Sequence, residues 1–142
     1  MILLDTTVLL YAVGEDHPLL DPCRRIVSAC GAGRMAAATT IMVLQEFTHV
    51  RAHRRRREHA AGLAREYATL LDLVPTTPED LDLALDLFCQ HPSLGAFDAT
   101  LAAVALIHGA TALISADRAF GVVPGLPWLD PAGPALEGLL AE

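Results

Sequence analysis

The sequence predicts a three-layer α/β domain in which helices cover both faces of a short parallel sheet of about five strands. Short apolar runs alternate with helical stretches along the chain, and no internal repeat or linker divides them. Alternation of this kind is typical of parallel βαβ units. Of the 142 residues, 53% are hydrophobic and 19% are charged, which favours a buried core over disorder. We expect one domain over residues 1–142, with a Pro/Gly-rich surface tail from about residue 131.

The predicted strands are short apolar runs bounded by polar or turn residues. The first begins next to the N-terminus and stops at the carboxylate of Asp5, and the fourth ends at Ser115, two residues before Asp117. Strands this short and apolar are typical of a sheet that is covered on both faces. In chain order, the strands are expected at residues 2–5, 35–38, 73–74, 112–115 and 126–129.

Helix start and stop signals lie between these strands. The clearest start combines Thr77 as an N-cap, Pro78 at the first helical position and two acids in the first turn. Helical spacing on this segment predicts a core-facing side. The residues expected on that side are Leu81, Ala84, Leu85 and Phe88. The helices are expected from residue 6 through residue 11 and at residues 19–30, 41–54, 56–72, 78–90 and 97–108, with a short turn or helix at 117–120.

Neither a disulfide framework nor a membrane span is expected. The three cysteines, Cys23, Cys30 and Cys89, are odd in number and widely spaced, so we interpret them as free buried thiols. No apolar run reaches the roughly 18 residues that a membrane span needs, and the N-terminus lacks the charged segment of a signal peptide. We therefore expect a cytoplasmic protein.

Positive charge is concentrated in one segment. The net charge is −7, all ten basic residues are arginines, and five of these fall within seven positions: Arg51, Arg54, Arg55, Arg56 and Arg57. Such a block can contact nucleic-acid phosphates whatever the net charge of the chain. A solvated helix junction and a docking site for an acidic protein segment are the alternatives. Arg118 is a further candidate, either for a substrate phosphate or for pairing with a nearby carboxylate.

Four acids are predicted to converge at one edge of the sheet. Asp5 and Asp117 follow the first and fourth strands, and ligands of open parallel sheets bind at this carboxyl edge. Asp98 opens its helix after a loop, and Glu46 lies in the second turn of the helix that follows the second strand. Both can reach the same edge from adjacent helices.

Helix capping is the alternative explanation for the three aspartates, because aspartate is a favoured N-cap residue. It does not account for Glu46, which stands mid-helix among Val43, Leu44 and Phe47. On this pattern Glu46 is expected to be buried, where an unpaired carboxylate is costly. The chain contains no lysine that could pair with it.

Clustered carboxylates would recruit a cation or take up protons. Two of them about 4 Å apart repel by roughly 4 kcal/mol at an effective dielectric constant of 20. An all-oxygen site favours Mg²⁺ or Mn²⁺ over zinc, and these ions suit phosphodiester hydrolysis.

The order and spacing of these motifs resemble the PIN-domain family, and most closely the VapC-type toxins of bacterial toxin–antitoxin modules. The resemblance covers nearly the whole chain, from Leu3 to about Trp128. The motifs that carry it are Leu4-Asp5-Thr6-Thr7, the helical Glu46, Phe97-Asp98-Ala99-Thr100-Leu101-Ala102-Ala103 and Ile114-Ser115-Ala116-Asp117-Arg118-Ala119-Phe120.

The resemblance implies that the four acids hold one or two Mg²⁺ or Mn²⁺ ions. It also implies supporting positions for Thr7, which would hydrogen-bond a carboxylate or a metal-bound water, and for Ser115. The expected activity is hydrolysis of RNA to 5′-phosphate and 3′-hydroxyl ends. The expected partners are an antitoxin that covers the acidic cleft and a second copy of the chain. Ala119 departs from the family pattern, in which many members carry another acid, and this weakens the case for a second metal.

Two other functions stay open at this point. A catalytically silent RNA- or protein-binding domain could keep the acids for structural reasons. A phosphatase-like hydrolase could use Asp5 as a nucleophile, but Thr7 stands where such enzymes have a second aspartate.

Overall fold

The computed structural model describes residues 1–141 and contains one five-stranded parallel sheet. The strands are short and their order across the sheet is β3-β2-β1-β4-β5, with every neighbouring pair parallel. Their bounds are β1 Ile2–Leu4, β2 Ala37–Thr39, β3 Asp72–Leu73, β4 Ala112–Ile114 and β5 Trp128–Leu129. The predicted α/β fold class is therefore confirmed, with strand ends that differ from the expected ones by at most two residues.

Seven α-helices and one 3₁₀ helix connect the strands of the described chain. The N-caps of several are the polar residues that the sequence offers: the Thr40 hydroxyl accepts from the Val43 amide, and Thr77 forms a reciprocal capping box with Asp80. The helices are α1 Thr6–Ala12, α2 Leu20–Gly31, α3 Ile41–Ala52, α4 Arg57–Leu70, α5 Pro78–Gln90, α6 Ala96–Ile107, the 3₁₀ helix Arg118–Val122 and α7 Ala135–Ala141.

The strand order reverses its direction at β1. The chain moves outward from β1 to β2 and β3, and then returns to place β4 on the other side of β1. Right-handed crossovers in opposite directions put α1–α4 on one face of the sheet and α5 and α6 on the other. A crevice opens at such a reversal, beyond the carboxyl ends of the two central strands. The residues that follow β1 and β4 are therefore placed at the ligand-binding edge.

The core lies on both sides of β1 and β4. Leu3, Leu113 and Ile114 from these strands are fully buried, and so are Phe47 of α3 and Phe120 of the 3₁₀ helix. Burial of large apolar side chains like these contributes roughly 1.5–3 kcal/mol each. None of the helices described in residues 1–141 has both the length and the apolar character that a membrane span requires.

Helix α5 turns a different side toward the core from the one that we expected. The buried residues are Asp80, Ala84 and Leu87, whereas Leu81, Leu85 and Phe88 are about half exposed, at 50%, 53% and 46%. The expected core-facing side was thus wrong except at Ala84. The reason is that the buried Asp80 carboxylate is held by the capping box and by His108 at the end of α6. This fixes the rotation of α5 against α6 and leaves an apolar stripe on the surface.

The C-terminal segment also differs from the expected surface tail. Residues 135–141 form α7, with Leu136 buried against the core. The carboxylate of Glu137 accepts two hydrogen bonds from the guanidinium of Arg25 on α2, at 2.6 and 2.8 Å. These contacts attach the segment to α2, so its Pro/Gly-rich composition marks the turn before a packed helix.

The cysteines are free, as the sequence predicts, but they are not all buried. Cys23 and Cys30 of α2 belong to the core, whereas Cys89 near the end of α5 is exposed. Burial raises the pKa of the Cys23 thiol to about 12, with a smaller contribution from the charge of Asp130. Cys23 therefore serves as a small apolar core residue, and Cys89 lies outside the core because the α5 surface stripe extends to it.

Candidate active site

Asp5 lies at the end of β1 and is the N-cap of α1. Its side chain is 97% buried, and its Oδ2 atom accepts hydrogen bonds from the Thr7 amide, the Thr7 hydroxyl and the Ser115 hydroxyl at 3.3, 2.8 and 2.7 Å. Capping and site formation are thus not alternatives here, because Oδ2 performs the capping and the second carboxylate oxygen has no hydrogen-bond partner in the described structure. These donors fix the orientation of the carboxylate at the sheet edge.

Thr7 and Ser115 connect the two central strands at this edge. The Thr7 hydroxyl accepts from the Ala116 amide at 3.0 Å, and the Ser115 hydroxyl accepts from the Asp117 amide at 3.0 Å. The Trp128 indole donates to the Ser115 carbonyl at 3.0 Å and fixes the end of β4. The hydrogen bond that the sequence led us to expect between Thr7 and a carboxylate is therefore confirmed, with Asp5 as the acceptor.

Asp117 stands at the start of the 3₁₀ helix and is half buried. Its Oδ1 atom accepts from the Ala119 amide at 2.9 Å, so it also caps the element that it precedes. This bond uses Oδ1, and the Asp117 carboxylate also takes part in a hydrogen bond with the Asp98 carboxyl group. Asp117 therefore places a carboxylate at the carboxyl end of β4, within hydrogen-bonding reach of Asp98.

Glu46 lies in the second turn of α3, as predicted, but its expected burial is wrong. The residue is exposed, because the helix turns Val43, Leu44 and Phe47 toward the core and Glu46 away from it. Its Oε2 atom accepts a hydrogen bond from the Thr6 hydroxyl of α1 at 2.8 Å. Glu46 thus reaches the site from the solvent side, and its carboxylate is not desolvated.

Asp98 is the acid on which the other three converge. It is the third residue of α6 and does not cap the helix, because Gly95 is the N-cap. The pKa of Asp98 is raised to about 7, first by burial, then by the negative charges of Asp5, Asp117 and Glu46, and also by a hydrogen bond to the Asp117 carboxylate. Only the protonated form of Asp98 can donate this bond. The charges of the other three acids therefore act on Asp98, whereas the role of the four acids as metal ligands stays a prediction.

The acids share this site without forming a closed ligand set. Within residues 1–141, no three histidine, cysteine, aspartate or glutamate side chains are grouped closely enough to hold a metal ion as they stand. The donor types nonetheless fit Mg²⁺ or Mn²⁺, since the site offers carboxylate and hydroxyl oxygens and no thiolate or imidazole. Glu46 is exposed and Asp117 half buried, so both side chains have room to move toward a cation.

The arginine block is divided among three environments. Arg51 of α3 is buried, Arg54, Arg55 and Arg56 lie in the exposed turn between α3 and α4, and Arg57 begins α4. Weak ion pairs join Arg55 to Glu15 at 3.8 Å and Arg56 to Glu58 at 3.7 Å. Arg118 is exposed at the start of the 3₁₀ helix and makes no ion pair with a described acid. The block is therefore not one uniform surface.

Sequence reasoning missed Thr6, which is the residue that connects Glu46 to α1. The motif Asp5-Thr6-Thr7 contains two hydroxyls, and only the second was expected to contact the site. No local signal distinguishes Thr6, because its partner Glu46 lies forty positions further along the chain. Helical geometry does place Thr6 next to Asp5 at the start of α1, so a site at this edge makes both hydroxyls candidates.

A model of the PIN domain matches residues 2–126 of this sequence. The chain belongs to the PIN-domain family. Among characterised relatives, it is similar to ribonuclease VapC7 of Mycobacterium tuberculosis, with 47% identity over 100% of this chain and 99% of the relative.

Solved structures show the same fold at low sequence identity. VapBC2 of Rickettsia felis, bound to a DNA fragment from its promoter, has a matching chain with a TM-score of 0.73 and 18% identity. The match covers 92% of this chain and 98% of that one. The sarcin–ricin-loop-cleaving toxin VapC20 of Mycobacterium tuberculosis matches with a TM-score of 0.71 and 18% identity, over 85% and 93% of the two chains.

Proposed function

We propose that this protein is a Mg²⁺- or Mn²⁺-dependent endoribonuclease and the toxin of a toxin–antitoxin pair. The observation that carries the proposal is the convergence of Asp5, Glu46 and Asp117 on Asp98 at the carboxyl edge of the sheet. A carboxyl group whose pKa is raised by burial and by three neighbouring negative charges is typical of a functional site. The ribonuclease name of the 47% identical relative supports the activity.

The four carboxylates would hold the metal ion. Asp5 has one oxygen that no described donor occupies, the Asp117 carboxylate would exchange its hydrogen bond with Asp98 for the cation, and Asp98 and Glu46 complete an all-oxygen set. Bound Mg²⁺ would orient the scissile phosphate, lower the pKa of a water molecule and neutralise developing charge. Thr7 and Ser115 would hold Asp5 in place, since the hydrogen-bonding partners of metal ligands orient them. With no acid at Ala119, we propose one metal ion in preference to two.

Cleavage of RNA by the purified protein tests the activity. We expect cleavage with Mg²⁺ or Mn²⁺, none with EDTA, and a loss of roughly 100-fold or more in Asp5→Asn and Asp98→Asn, because the loss of a ligand should exceed the 10- to 100-fold cost of losing a residue that supports one. Asp86→Asn is the matched control, since Asp86 is an exposed aspartate of α5 that is not one of the four site acids and does not contribute to the pKa of Asp98. Cleavage that survives both site substitutions would overturn the proposal.

Metal binding can be measured without activity. Mg²⁺ should raise the melting temperature of the wild-type protein, because a ligand that binds the folded state stabilises it. The increase should be smaller in Asp98→Asn and unchanged in Asp86→Asn. Equal increases in all three proteins would show that the ion binds elsewhere.

A catalytically silent RNA- or protein-binding domain is the second candidate. It is favoured by one observation: the acids do not form a group of three ligands as they stand. The melting experiment separates the two functions. A silent domain would show no carboxylate-dependent stabilisation by Mg²⁺, whereas the proposed nuclease would.

The proposed partners are an RNA substrate, an antitoxin and a second copy of the chain. The antitoxin is supported by VapBC complexes among the structural neighbours. An antitoxin side chain with positive charge, such as arginine, would complement the four acids. A homodimer is supported by the exposed apolar stripe of α5, formed by Leu81, Leu85 and Phe88. As a ribonuclease toxin the protein would act in the cytoplasm, without a membrane.

A further inference from the structure

A cleft of about 370 Å³ opens beside the carboxylate site, between α1, the loop that follows α1, and α3. Thr7 belongs to both the cleft and the carboxylate site, because it lines the cleft and its hydroxyl donates a hydrogen bond to Asp5. From Thr7 the cleft follows α1 to Tyr11, which is about 6 Å along a helix axis. On the opposite wall it follows the end of α3 from Val50 to Arg51 and reaches Arg54 in the turn after this helix, which also carries Glu46. The cleft is therefore a continuation of the site.

Arg51 lines this cleft and is a buried cation that forms no ion pair within residues 1–141, although the charge of Glu15 in the same cleft acts on it. The residue is 91% buried, its Nε has no hydrogen-bond partner, and its guanidinium makes no hydrogen bond or ion pair with any residue in the range 1–141. Its two terminal nitrogens are not fully buried, so the cleft is where they keep access to a partner. Burial lowers the pKa of Arg51, and so do the charges of Arg55 and Arg54.

An unpaired buried cation is costly, and structures retain such groups where a ligand completes the pair. Arg25 shows the contrast, because its exposed guanidinium is paired with both oxygens of Glu137. Arg54 lines the same cleft as Arg51 and adds a second positive charge. The cleft thus has two guanidiniums that suit an anionic group such as phosphate.

A stacked pair of rings forms the other end of the cleft. The rings of Tyr11 and His17 have centroids 4.6 Å apart and an interplanar angle of 29°. Aromatic surfaces of this kind stack nucleobases in single-stranded RNA. The carboxylates of Glu15 and Asp16 also line the cleft, and they can accept hydrogen bonds from base amino groups. An acidic peptide has neither a planar base for the ring pair nor amino groups for the two carboxylates, so the composition favours a nucleotide.

We propose that this cleft binds one nucleotide of a single-stranded RNA segment next to the cleaved bond. Arg51 and Arg54 bind its phosphate, and the Tyr11–His17 pair stacks its base. The inference rests on the proposed ribonuclease function and assigns the substrate-recognition part of the same site. It also gives Arg51 and Arg54 a defined role that Arg55 and Arg56, which do not line the cleft, do not share.

Binding of a fluorescein-labelled 12-nucleotide single-stranded RNA that contains all four bases tests the proposal. Fluorescence anisotropy is measured with EDTA in the Asp98→Asn background, so that cleavage does not interfere and one repelling charge is removed. Arg51→Met and Arg54→Met should each weaken binding about tenfold, as for one lost charge-assisted contact. Each should also reduce the slope of log K against log salt by about 0.7.

The aromatic pair is tested separately. Tyr11→Ala should weaken binding about tenfold, because stacking on one ring is lost. Tyr11→Phe should bind like the parent, since the ring remains and the Tyr11 hydroxyl has no hydrogen-bond partner in the described structure. Arg65→Met is the control for the arginines, because Arg65 is exposed on α4 and lies outside the cleft. Arg54 is exposed and Tyr11 is partly exposed. Arg54→Met and Tyr11→Ala therefore test the cleft even if Arg51→Met fails to fold.

Unchanged affinity and salt slope in Arg54→Met and Tyr11→Ala would overturn the nucleotide site. So would Arg51-dependent binding of a labelled acidic 12-residue peptide without Arg51-dependent binding of RNA, which would identify a protein partner instead. The outcome is independent of the cleavage assay. If the wild-type protein does not cleave RNA but Arg51→Met weakens RNA binding, only the proposed nuclease activity is contradicted. If the wild-type protein cleaves RNA but Arg51→Met, Arg54→Met and Tyr11→Ala leave RNA binding unchanged, only the nucleotide site in the cleft is contradicted.

Discussion

Asp98 experiences the combined charge of the other three acids, and this has a consequence for stability. Its pKa rises from an ordinary value of 3.8 to about 7 in the folded protein without metal. The folded state therefore holds the proton more tightly than the unfolded state does. The contribution of the Asp98 carboxyl group to the free energy of unfolding is fully present below about pH 4. It is lost as the pH rises from about 4 to about 7, and it stays lost above that.

Asp98→Asn should remove this pH-dependent loss. In EDTA the substitution should stabilise the protein at pH 8 and have little effect at pH 4. The expected gain at pH 8 is about 1–2 kcal/mol, because solvent at this partly exposed site screens the roughly 4 kcal/mol that the full shift would give. Thermal unfolding measures it as a rise of a few degrees. Asp86→Asn should show no such pH dependence, and a destabilised Asp98→Asn at pH 8 would contradict the electrostatic account.

Thr7 is expected to act on the site through Asp5. Thr7→Val keeps the shape of the side chain but removes the hydroxyl that donates to Asp5 and accepts from the Ala116 amide. We expect cleavage to fall 10- to 100-fold and Mg²⁺ affinity to fall with it, as is usual for residues that orient a metal ligand. Thr69→Val is a matched control, because the Thr69 hydroxyl bonds only within α4. Full activity in Thr7→Val would remove Thr7 from the supporting role.

The sequence predicted the positions of three acids better than their surroundings. Asp5 and Asp117 follow strands and Asp98 follows a loop, so the parallel sheet alone brings them to one edge. Glu46 was expected to be buried because its neighbours in sequence are apolar, but a helix turns adjacent residues about 100° apart. The hydroxyl of Thr6 and the fully buried Asp80 were not foreseen, because their partners Glu46 and His108 are distant in sequence.

Helix α5 shows how a single polar contact decides which face of an element is buried. The expected side, at positions 81, 84, 85 and 88, and the buried side, at positions 80, 84 and 87, both have helical spacing. The apolar pattern alone favours the first, because the second includes an aspartate. The buried carboxylate of Asp80 selects the other face, because Thr77 and His108 bind it on the side of α6. Although burial raises the pKa of Asp80, these hydrogen bonds lower it overall.

His108→Ala should therefore loosen α5 from α6. The substitution leaves the Asp80 carboxylate buried with fewer donors, which costs about 1–3 kcal/mol. Urea unfolding at pH 7 measures the loss. His59→Ala is the control, since His59 is exposed on α4. Because the pKa of Asp80 is lowered in the folded state, its contribution is present above the ordinary aspartate pKa and is lost as the pH falls through the lowered value. A His108→Ala protein as stable as the wild type would show that the pair does not position α5.

On the scale of the whole molecule, the fold separates an electronegative edge from an apolar flank. The carboxylate site lies at the carboxyl edge of the sheet, and the Arg51 cleft extends from Thr7 along α1 and the C-terminal part of α3. The apolar stripe of α5 belongs to the helical layer on the opposite face from α1 and α3. A partner that covers this stripe can therefore leave the site open, which is the arrangement that an active homodimer needs.

The stripe makes the proposed homodimer testable. Replacing Leu85 and Phe88 by aspartate places two charges on a surface that is about half exposed in the single chain, so the fold should survive while association is lost. Light scattering coupled to size-exclusion chromatography should give a dimer mass for the wild type and a monomer mass for the double variant. Val122→Asp is the control, because Val122 is a similarly exposed apolar residue of the 3₁₀ helix, at 48%. Since the stripe lies away from the carboxylates, the monomeric variant should keep its Mg²⁺-dependent melting increase. A double variant that remains a dimer would place the interface on another face of the molecule.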